Sequence, residues 1–148
     1  MKRTSGIEWK ELHAGIARVM QYYVSEYKTE NLFNMGMDAL KKIEEESLPQ
    51  LFALDPHKLM RSIEDTSLLT YAQIIIHASL ARKASSMPLN FMRIDCPDMD
   101  PPEWQKFLTV KMENGKVITG DMPLAYWGNM KQQYEAHNKD YTGVYQGQ

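Results

Sequence analysis

Four carboxylates in one short, proline-rich segment are the densest group of side chains in this sequence that could do chemistry. They are Asp95, Asp98, Asp100 and Glu103. Carboxylate oxygens bind hard cations such as Ca²⁺ and Mg²⁺. The segment has neither the glycine nor the distal glutamate of an EF-hand, and its prolines stiffen the chain. We therefore interpret these side chains as solvent-exposed carboxylates, with a cation-binding enzyme as the weaker alternative.

Three basic side chains lie beside the same segment, where a predicted helix gives way to a loop. They are Arg82, Lys83 and Arg93. Cations near the C-terminal end of a helix interact favourably with its dipole, and arginine is also a common interface residue. We expect dipole partners or interface anchors here, with contact to an anion or a substrate as the weaker alternative.

Other residue types that carry out chemistry do not occur at productive spacings. The eight glycines never form a G-x-G-x-x-G or Walker sequence, which argues against a phosphate cradle for a nucleotide. None of the four histidines has a second histidine or cysteine at metal-ligand spacing, and Cys96 is the only cysteine, so no intrachain disulfide or multi-cysteine zinc site is encoded. No serine lies in a G-x-S-x-G elbow. The sequence thus predicts no catalytic, cofactor-binding or metal-binding residue in this chain.

The composition is that of one globular domain. The chain has 148 residues, 43% hydrophobic content and a formal net charge of −2, which argues against two large domains and against binding to nucleic acid. No run reaches the roughly 20 apolar residues that span a bilayer, and the start leads into an amphipathic segment rather than a signal-peptide core. We expect a cytoplasmic protein, or one associated with a membrane through partner subunits.

Three segments have the apolar spacing of α-helices. They run from Ile7 to Tyr27, from near Thr29 to Ser47, and from Pro56 to about Ser86. We expect Thr29 and Asp55 to cap the second and third helices, and Pro56 suits a first helical position. The third segment is long enough to contain a bend. Its later half is apolar most of the way round, so another part of the structure or a partner should cover it.

The remainder of the sequence predicts a loop, a hairpin and a tail. Residues 87–102 contain four of the seven prolines and cannot form a helix. Phe107 to Thr119, with Asn114-Gly115 at its centre, is typical of a β-hairpin with a type I′ turn. We therefore predict a mainly α fold. Its parts are a spectrin-like, up-down-up three-helix bundle (1–86), a proline-rich loop and small β-hairpin packed on the same domain (87–127), and a peripheral tail (128–148).

Two stretches of the sequence resemble a known family. They are TYAQIIIHASLARKASS at residues 70–86 and RIDCPDMDPPEW at residues 93–104. Together they resemble the C-terminal domain of the succinate dehydrogenase and fumarate reductase flavoproteins, and most closely the flavoprotein subunit of adenylylsulfate reductase. The resemblance extends over residues 7–127. It implies a helical bundle that follows an FAD-binding domain and a capping domain, neither of which this sequence contains.

The resemblance also implies which residues face the flavin domain. The matching positions of interest are Arg82, Ser85, Arg93, Asp95 and Trp104. The sequence reads Ala-Ser-Ser-Met at residues 84–87, where the dehydrogenase and fumarate reductase branch typically reads Glu-Ser-Arg-Gly, and it has Pro101 where a second aspartate is usual. No catalytic residue can be transferred, because the family's substrate-binding residues lie outside this sequence.

The leading hypothesis is a structural and interface role within an FAD-dependent oxidoreductase. The resemblance implies FAD in the parent enzyme but no cofactor in this chain, with an FAD-binding domain or chain as its partner and an iron–sulfur subunit as a further partner. The alternative is a freestanding helical module that offers an apolar groove to a protein and has no part in redox chemistry.

Overall fold

Three long helices form the body of the molecule in the computed structural model, which describes residues 3–145, and the side chains of residues 3–125 and 128–137. The helices are α1 (Trp9–Tyr23), α2 (Glu30–Lys42) and α3 (Pro56–Ala81). Each of them packs against the other two. The core residues between them include Leu12, Ile16, Phe33, Leu40, Leu69 and Ile76. This bundle confirms the predicted mainly α architecture.

The predicted helix starts are confirmed by their caps. The Thr29 hydroxyl accepts a hydrogen bond from the Leu32 amide at 3.1 Å, and the Asp55 carboxylate accepts one from the Lys58 amide at 2.8 Å. Pro56 occupies the first helical position of α3, where its missing N–H leaves no bond unmade. Helix α2 continues through a π-helical turn and a short 3₁₀ turn, Ile43–Ser47 and Leu48–Gln50.

Helix α3 is one continuous helix that ends at Ala81 rather than near Ser86. The chain leaves the helix at Arg82, whose backbone is extended at φ −76° and ψ 111°. Beyond it, the amide of Ser85 donates to the carbonyl of Asp98 at 2.9 Å, and the amide of Ser86 donates to the carbonyl of Phe91 at 2.8 Å. The helix was predicted too long because the amides of Ser85 and Ser86 bond to loop carbonyls and not to carbonyls of the preceding helical turn.

Helix α1 is also shorter than the predicted segment from Ile7 to Tyr27. The start of the predicted segment is not helical, because the Ile7 amide donates to the Gln50 carbonyl at 2.9 Å, after the end of α2. The end of the predicted segment, Tyr27, belongs to strand β1 (Tyr27–Lys28), which pairs in parallel with strand β2 (Met92–Arg93). The loop after α3 is therefore fastened to the connection between α1 and α2.

The predicted β-hairpin is confirmed. Strands β3 (Lys106–Glu113) and β4 (Lys116–Pro123) pair antiparallel. The turn residues Asn114 and Gly115 have φ angles of 51° and 74°, as a type I′ turn requires. Val110 and Val117 face Ile74 of α3 across a small cavity of about 130 Å³, so the hairpin covers one side of that helix.

The segment predicted as a peripheral tail contains a further helix, α4 (Met130–Tyr145). Asn129 caps it, because its side-chain oxygen accepts from the amide of Lys131 at 3.1 Å and from that of Gln132 at 3.3 Å. The ends of the predicted bundle and tail, residues 1–2 and 146–148, lie outside the described residues. No helix within residues 3–145 has the length and hydropathy needed to cross a bilayer.

Candidate functional site

Arg93 and Asp95 form a bidentate ion pair in the loop after α3. Nε of Arg93 donates to Oδ1 of Asp95 at 2.7 Å, and Nη2 donates to Oδ2 at 2.6 Å. The Arg93 side chain is 0% exposed, whereas that of Asp95 is 31% exposed. The pKa of Asp95 lies well below its ordinary value, mainly because its carboxylate accepts hydrogen bonds from Arg93. In turn, the hydrogen bond to Asp95 raises the pKa of Arg93.

This ion pair joins the ends of two helices. Nη1 of Arg93 donates to the carbonyls of Ser79 and Arg82 at 3.0 and 2.9 Å, at the C-terminal end of α3. Oδ2 of Asp95 accepts from the amide of Glu30 at 2.7 Å, at the N-terminal end of α2. A cation at a helix C-terminus and an anion at an N-terminus both complement the helix dipoles. The pair therefore fixes α2 and α3 relative to the loop.

Ser85 holds the same loop through its hydroxyl group, which is buried. Its Oγ accepts from the amide of Arg93 at 2.8 Å and lies 2.9 Å from the carbonyl oxygen of Cys96, to which it donates. The backbone of Ser85 bonds to two further loop residues, Asp98 and Asp100. Ser85 thus holds the loop of residues 85–100 together through several hydrogen bonds.

Arg82 and Trp104 meet at the edge of the hairpin. The guanidinium of Arg82 lies 5.6 Å from the centre of the Trp104 ring, and its Nη1 donates to the Trp104 carbonyl at 3.4 Å. Nζ of Lys106 lies 4.7 Å from the same ring and pairs with Asp121 at 2.6 Å. Two cations therefore contact one indole, an arrangement that favours cation–π attraction.

The five predicted interface residues thus come together at the end of α3, but in two settings. Arg93, Asp95 and Ser85 bond chiefly to each other and to backbone atoms of this chain. Trp104 lines an open groove of about 210 Å³ together with Ala81 and Lys106, and Arg82 contacts the Trp104 ring. Sequence reasoning missed Lys106 and Asp121, although the alternation along β3 puts Lys106 on the α3 side of the hairpin.

The acidic segment does not converge on one point. The carboxylate of Asp95 is used by Arg93, while that of Asp100 accepts from the amide of Met87 at 3.1 Å. Hydrogen bonding from Ser86 is the main cause that lowers the pKa of Asp100. Within the described part of the chain, no group of three or more acidic, histidine or cysteine side chains is arranged to hold a metal ion.

A buried carboxylate, which the sequence analysis did not single out, joins α1 to α3. Oδ1 of Asp65 lies 2.9 Å from Nδ1 of His13. Its Oδ2 is buried and has no hydrogen-bond partner among the described residues. The helical spacing from Asp65 to Leu69 and Ala72 was the available signal, because it puts this carboxylate on the core face.

One face of α3 is apolar and exposed. The exposed apolar side chains on it are Met60, Ile63, Tyr71 and Ile75, and the exposed carboxylate of Glu64 lies among them. The helix carries no Asp, Glu, Lys or Arg from Ser67 to Ala81. The hairpin covers a neighbouring side of α3 near Ile74, but it leaves Tyr71 63% exposed. The predicted need for a cover is thus met only in part by this chain.

Comparisons with known proteins give one matching family. The family model described as the fumarate reductase flavoprotein C-terminal region matches residues 13–136. No curated protein matches the chain.

Solved structures share the fold. Adenylylsulfate reductase from the hyperthermophile Archaeoglobus fulgidus aligns with a TM-score of 0.74 and 22% identity, over 82% of this chain and 20% of that chain. Quinol fumarate reductase from E. coli aligns with a TM-score of 0.71 and 20% identity, over 83% of this chain and 22% of that chain. This chain therefore spans about a fifth of the length of these relatives.

Proposed function

Because the chain belongs to the family of fumarate reductase flavoprotein C-terminal domains, we propose that it packs against the flavin-bearing part of an FAD-dependent oxidoreductase. Its role there is to bind and position that part. The reaction itself takes place on residues that this chain does not contain. The same proposal includes an iron–sulfur subunit as a further partner of the parent enzyme, to which no residue here is assigned.

The observation that carries the proposal is the exposed apolar face of α3. Tyr71 is 63% exposed, and a tyrosine side chain offers roughly 200 Å² for burial. Covering the exposed part of this one side chain would contribute about 2 to 3 kcal/mol at 25 cal/mol per Å². Met60, Ile63 and Ile75 lie on the same face, so a docked domain gains several such contributions.

The residues described here do not fit FAD itself. Helix α2 follows strand β1 directly, an arrangement that holds phosphates in dinucleotide-binding folds, but the amide of Glu30 already bonds to Asp95 and that of Leu32 to Thr29. A groove of about 410 Å³ lies between Leu48, Pro49 and Ile63 and opens to solvent. The sequence supplies no glycine-rich turn beside it. The FAD implied by the family therefore belongs to the other part of the parent enzyme.

The predicted interface residues divide between two roles in this proposal. Arg82 and Trp104 are assigned to the contact with the flavin-bearing part, since Trp104 lines an open groove and Arg82 packs on its ring. Ser85, Arg93 and Asp95 act by holding the loop in the shape that presents this groove. The complete burial of the Arg93 side chain supports a positioning role for it.

The test uses two matched tyrosines. The tagged chain is produced in its own host, and the protein that co-elutes with it is assayed for flavin absorbance and identified by mass. We expect the Tyr71→Glu variant to bind this flavoprotein at least tenfold more weakly, because a carboxylate cannot be buried unpaired. Tyr22→Glu is the control, since Tyr22 is similarly exposed at 69% but lies on α1.

If the flavin-bearing part is on the same polypeptide, the two variants are made in the full-length protein. Faster protease cleavage between the two parts is then the expected effect of Tyr71→Glu alone. Equal binding by both variants would contradict the docking face. A partner without flavin would favour the alternative of a freestanding interaction module.

A further inference from the structure

The β-hairpin is a sheet of only two strands, so each strand has one edge without a neighbouring strand among the described residues. An unpaired edge presents a row of backbone N–H and C=O groups that lack partners, and a two-stranded hairpin is marginally stable in water without further packing. Both strands contact α3, but this packing does not satisfy the backbone groups along the edges. The hairpin therefore has two edges at which a further strand can pair.

The register of the hairpin shows which backbone groups point outward. The two-residue turn is flanked by Glu113 and Lys116, and the residues that flank such a turn exchange both of their backbone hydrogen bonds. The exchange repeats at every second pair, and the groups of the pairs in between point away from the hairpin. These include the groups of Val110 on β3 and of Val117 and Thr119 on β4, which form no hydrogen bond with the described residues.

The two edges lie over different sides of α3. The small cavity beneath the hairpin is lined by polar side chains of α3 that include Gln73 and His77, and on the hairpin side by three residues of β3 but only one of β4. Tyr71 and Ile75 lie about 120° or more round the helix from these two polar residues. Since β3 lies on the polar side of α3, β4 is the strand nearer to the exposed Tyr71 and Ile75.

A strand beside β4 buries more apolar surface than a strand beside β3. It would lie about 4.8 Å beyond β4, and its alternate side chains would face α3 and cover Tyr71 and Ile75, which are 63% and 47% exposed. Beside β3, the same strand would meet the polar side of α3. The residue types agree, because Lys111 interrupts the edge of β3 as lysines do in protected edges. Residues 117–120 of β4 are uncharged and end in a glycine, which admits a second backbone closely.

We propose that an extended segment of the flavin-bearing part of the parent enzyme pairs with the free edge of β4 and lays alternate apolar side chains over Tyr71 and Ile75. This inference rests on the proposed function and adds the kind of structure that docks. This chain spans about a fifth of the length of its relatives, and the edge of β4 borders the proposed docking face. A strand fits better than a helix, because a helix bonds its own backbone groups and would leave those of β4 unpaired.

The first test measures amide hydrogen exchange in the complex, or in the full-length protein if both parts are on one polypeptide. The amides of Val117 and Thr119 should exchange at least about tenfold more slowly than the outward amide of Val110, because a hydrogen-bonded amide is protected until the local structure opens. Val110 is a matched control, since it lies directly opposite Thr119 in the ladder. Equal exchange rates at the three amides would contradict the pairing.

The second test removes one outward donor. Thr119→Pro deletes an N–H that makes no bond within the hairpin, and it should weaken binding of the flavin-bearing part at least about tenfold because proline cannot donate to an added strand. Val110→Pro, the same change on the edge of β3, should leave binding within about threefold of the unchanged chain. On a single polypeptide, the readout is protease cleavage between the two parts, and thermal denaturation checks the fold of each variant.

The outcomes separate this inference from the proposed function. If the flavoprotein binds and the two proline variants bind it equally well, strand pairing at β4 is wrong while the docking face stands. Native mass spectrometry counts the chains in the assembly. Slow exchange at Val117 and Thr119 in an assembly of two copies of this chain without a flavoprotein would assign the edge to a second copy and overturn the inference. If the unchanged chain binds no flavoprotein, the proposed function is itself wrong.

Discussion

Replacing Asp95 with asparagine should destabilise the chain by about 3 kcal/mol. Arg93 is fully buried, and among the described residues its charge is paired only with Asp95, at 2.6 and 2.7 Å. Removing one partner of a buried ion pair typically costs about 3 to 5 kcal/mol. We take the lower end because Asp95 is partly exposed and because the amide oxygen of asparagine can still accept one hydrogen bond.

The assay is urea denaturation followed by circular dichroism, in which the free energy of unfolding comes from the midpoint and the slope. With a slope of about 1.5 kcal/mol per M, the midpoint of Asp95→Asn should fall by about 2 M. The control is Glu30→Gln, the same acid-to-amide change. Glu30 pairs with Lys83 at 2.6 Å, but the two side chains are 56% and 47% exposed, so this change should cost less than about 1 kcal/mol.

A double-mutant cycle shows whether the cost belongs to the pair. Arg93→Met fills a similar volume, so combining it with Asp95→Asn should cost at least about 2 kcal/mol less than the sum of the single changes. The reasoning fails if Asp95→Asn costs no more than Glu30→Gln. It also fails if the two changes at Arg93 and Asp95 are additive within about 0.5 kcal/mol.

Two further predictions concern pH and backbone packing. Because the pKa of Asp95 is lowered in the folded state, its contribution is present above the unfolded value of about 3.9 and is lost as the pH falls further. The difference in unfolding free energy between the unchanged chain and Asp95→Asn should therefore shrink between pH 7 and pH 3, and urea midpoints at both values will check it. Gly15→Ala should raise the melting temperature, because the added Cβ would meet only Ile43 Cδ1 at 3.6 Å and alanine favours a helix by about 1 kcal/mol. Gly36→Ala should lower it, because its Cβ would lie 2.9 Å from that of Tyr23.

Helix starts and the hairpin turn could be predicted because their causes are local. The cap at Thr29 is three residues from the amide that it accepts from, and the same holds for Asp55. The Asn114-Gly115 turn depends on two neighbouring backbone conformations. In each case the residues that form the structure are adjacent in the sequence.

Helix ends depend on residues that are distant in sequence, and they were predicted less well. Helix α3 ends where Arg93, eleven residues beyond Arg82, caps its last carbonyls. Helix α1 stops before Tyr27 because that residue pairs with a strand of the later loop. Apolar spacing continues past both ends, so periodicity alone could not locate them. Helix α4 was missed although Asn129 offered a local cap.

The grouping of Arg82 and Arg93 near the end of α3 could be predicted from the sequence, but the partners of each side chain could not. Arg82 and Arg93 both lie near the end of α3, and both were predicted as interface anchors. What separates them is the partner of each guanidinium edge: Arg93 has Asp95 two residues later, whereas Arg82 has a backbone carbonyl and an indole. These partners lie in the loop and the hairpin, so the spacing of apolar residues along α3 could not distinguish the two arginines.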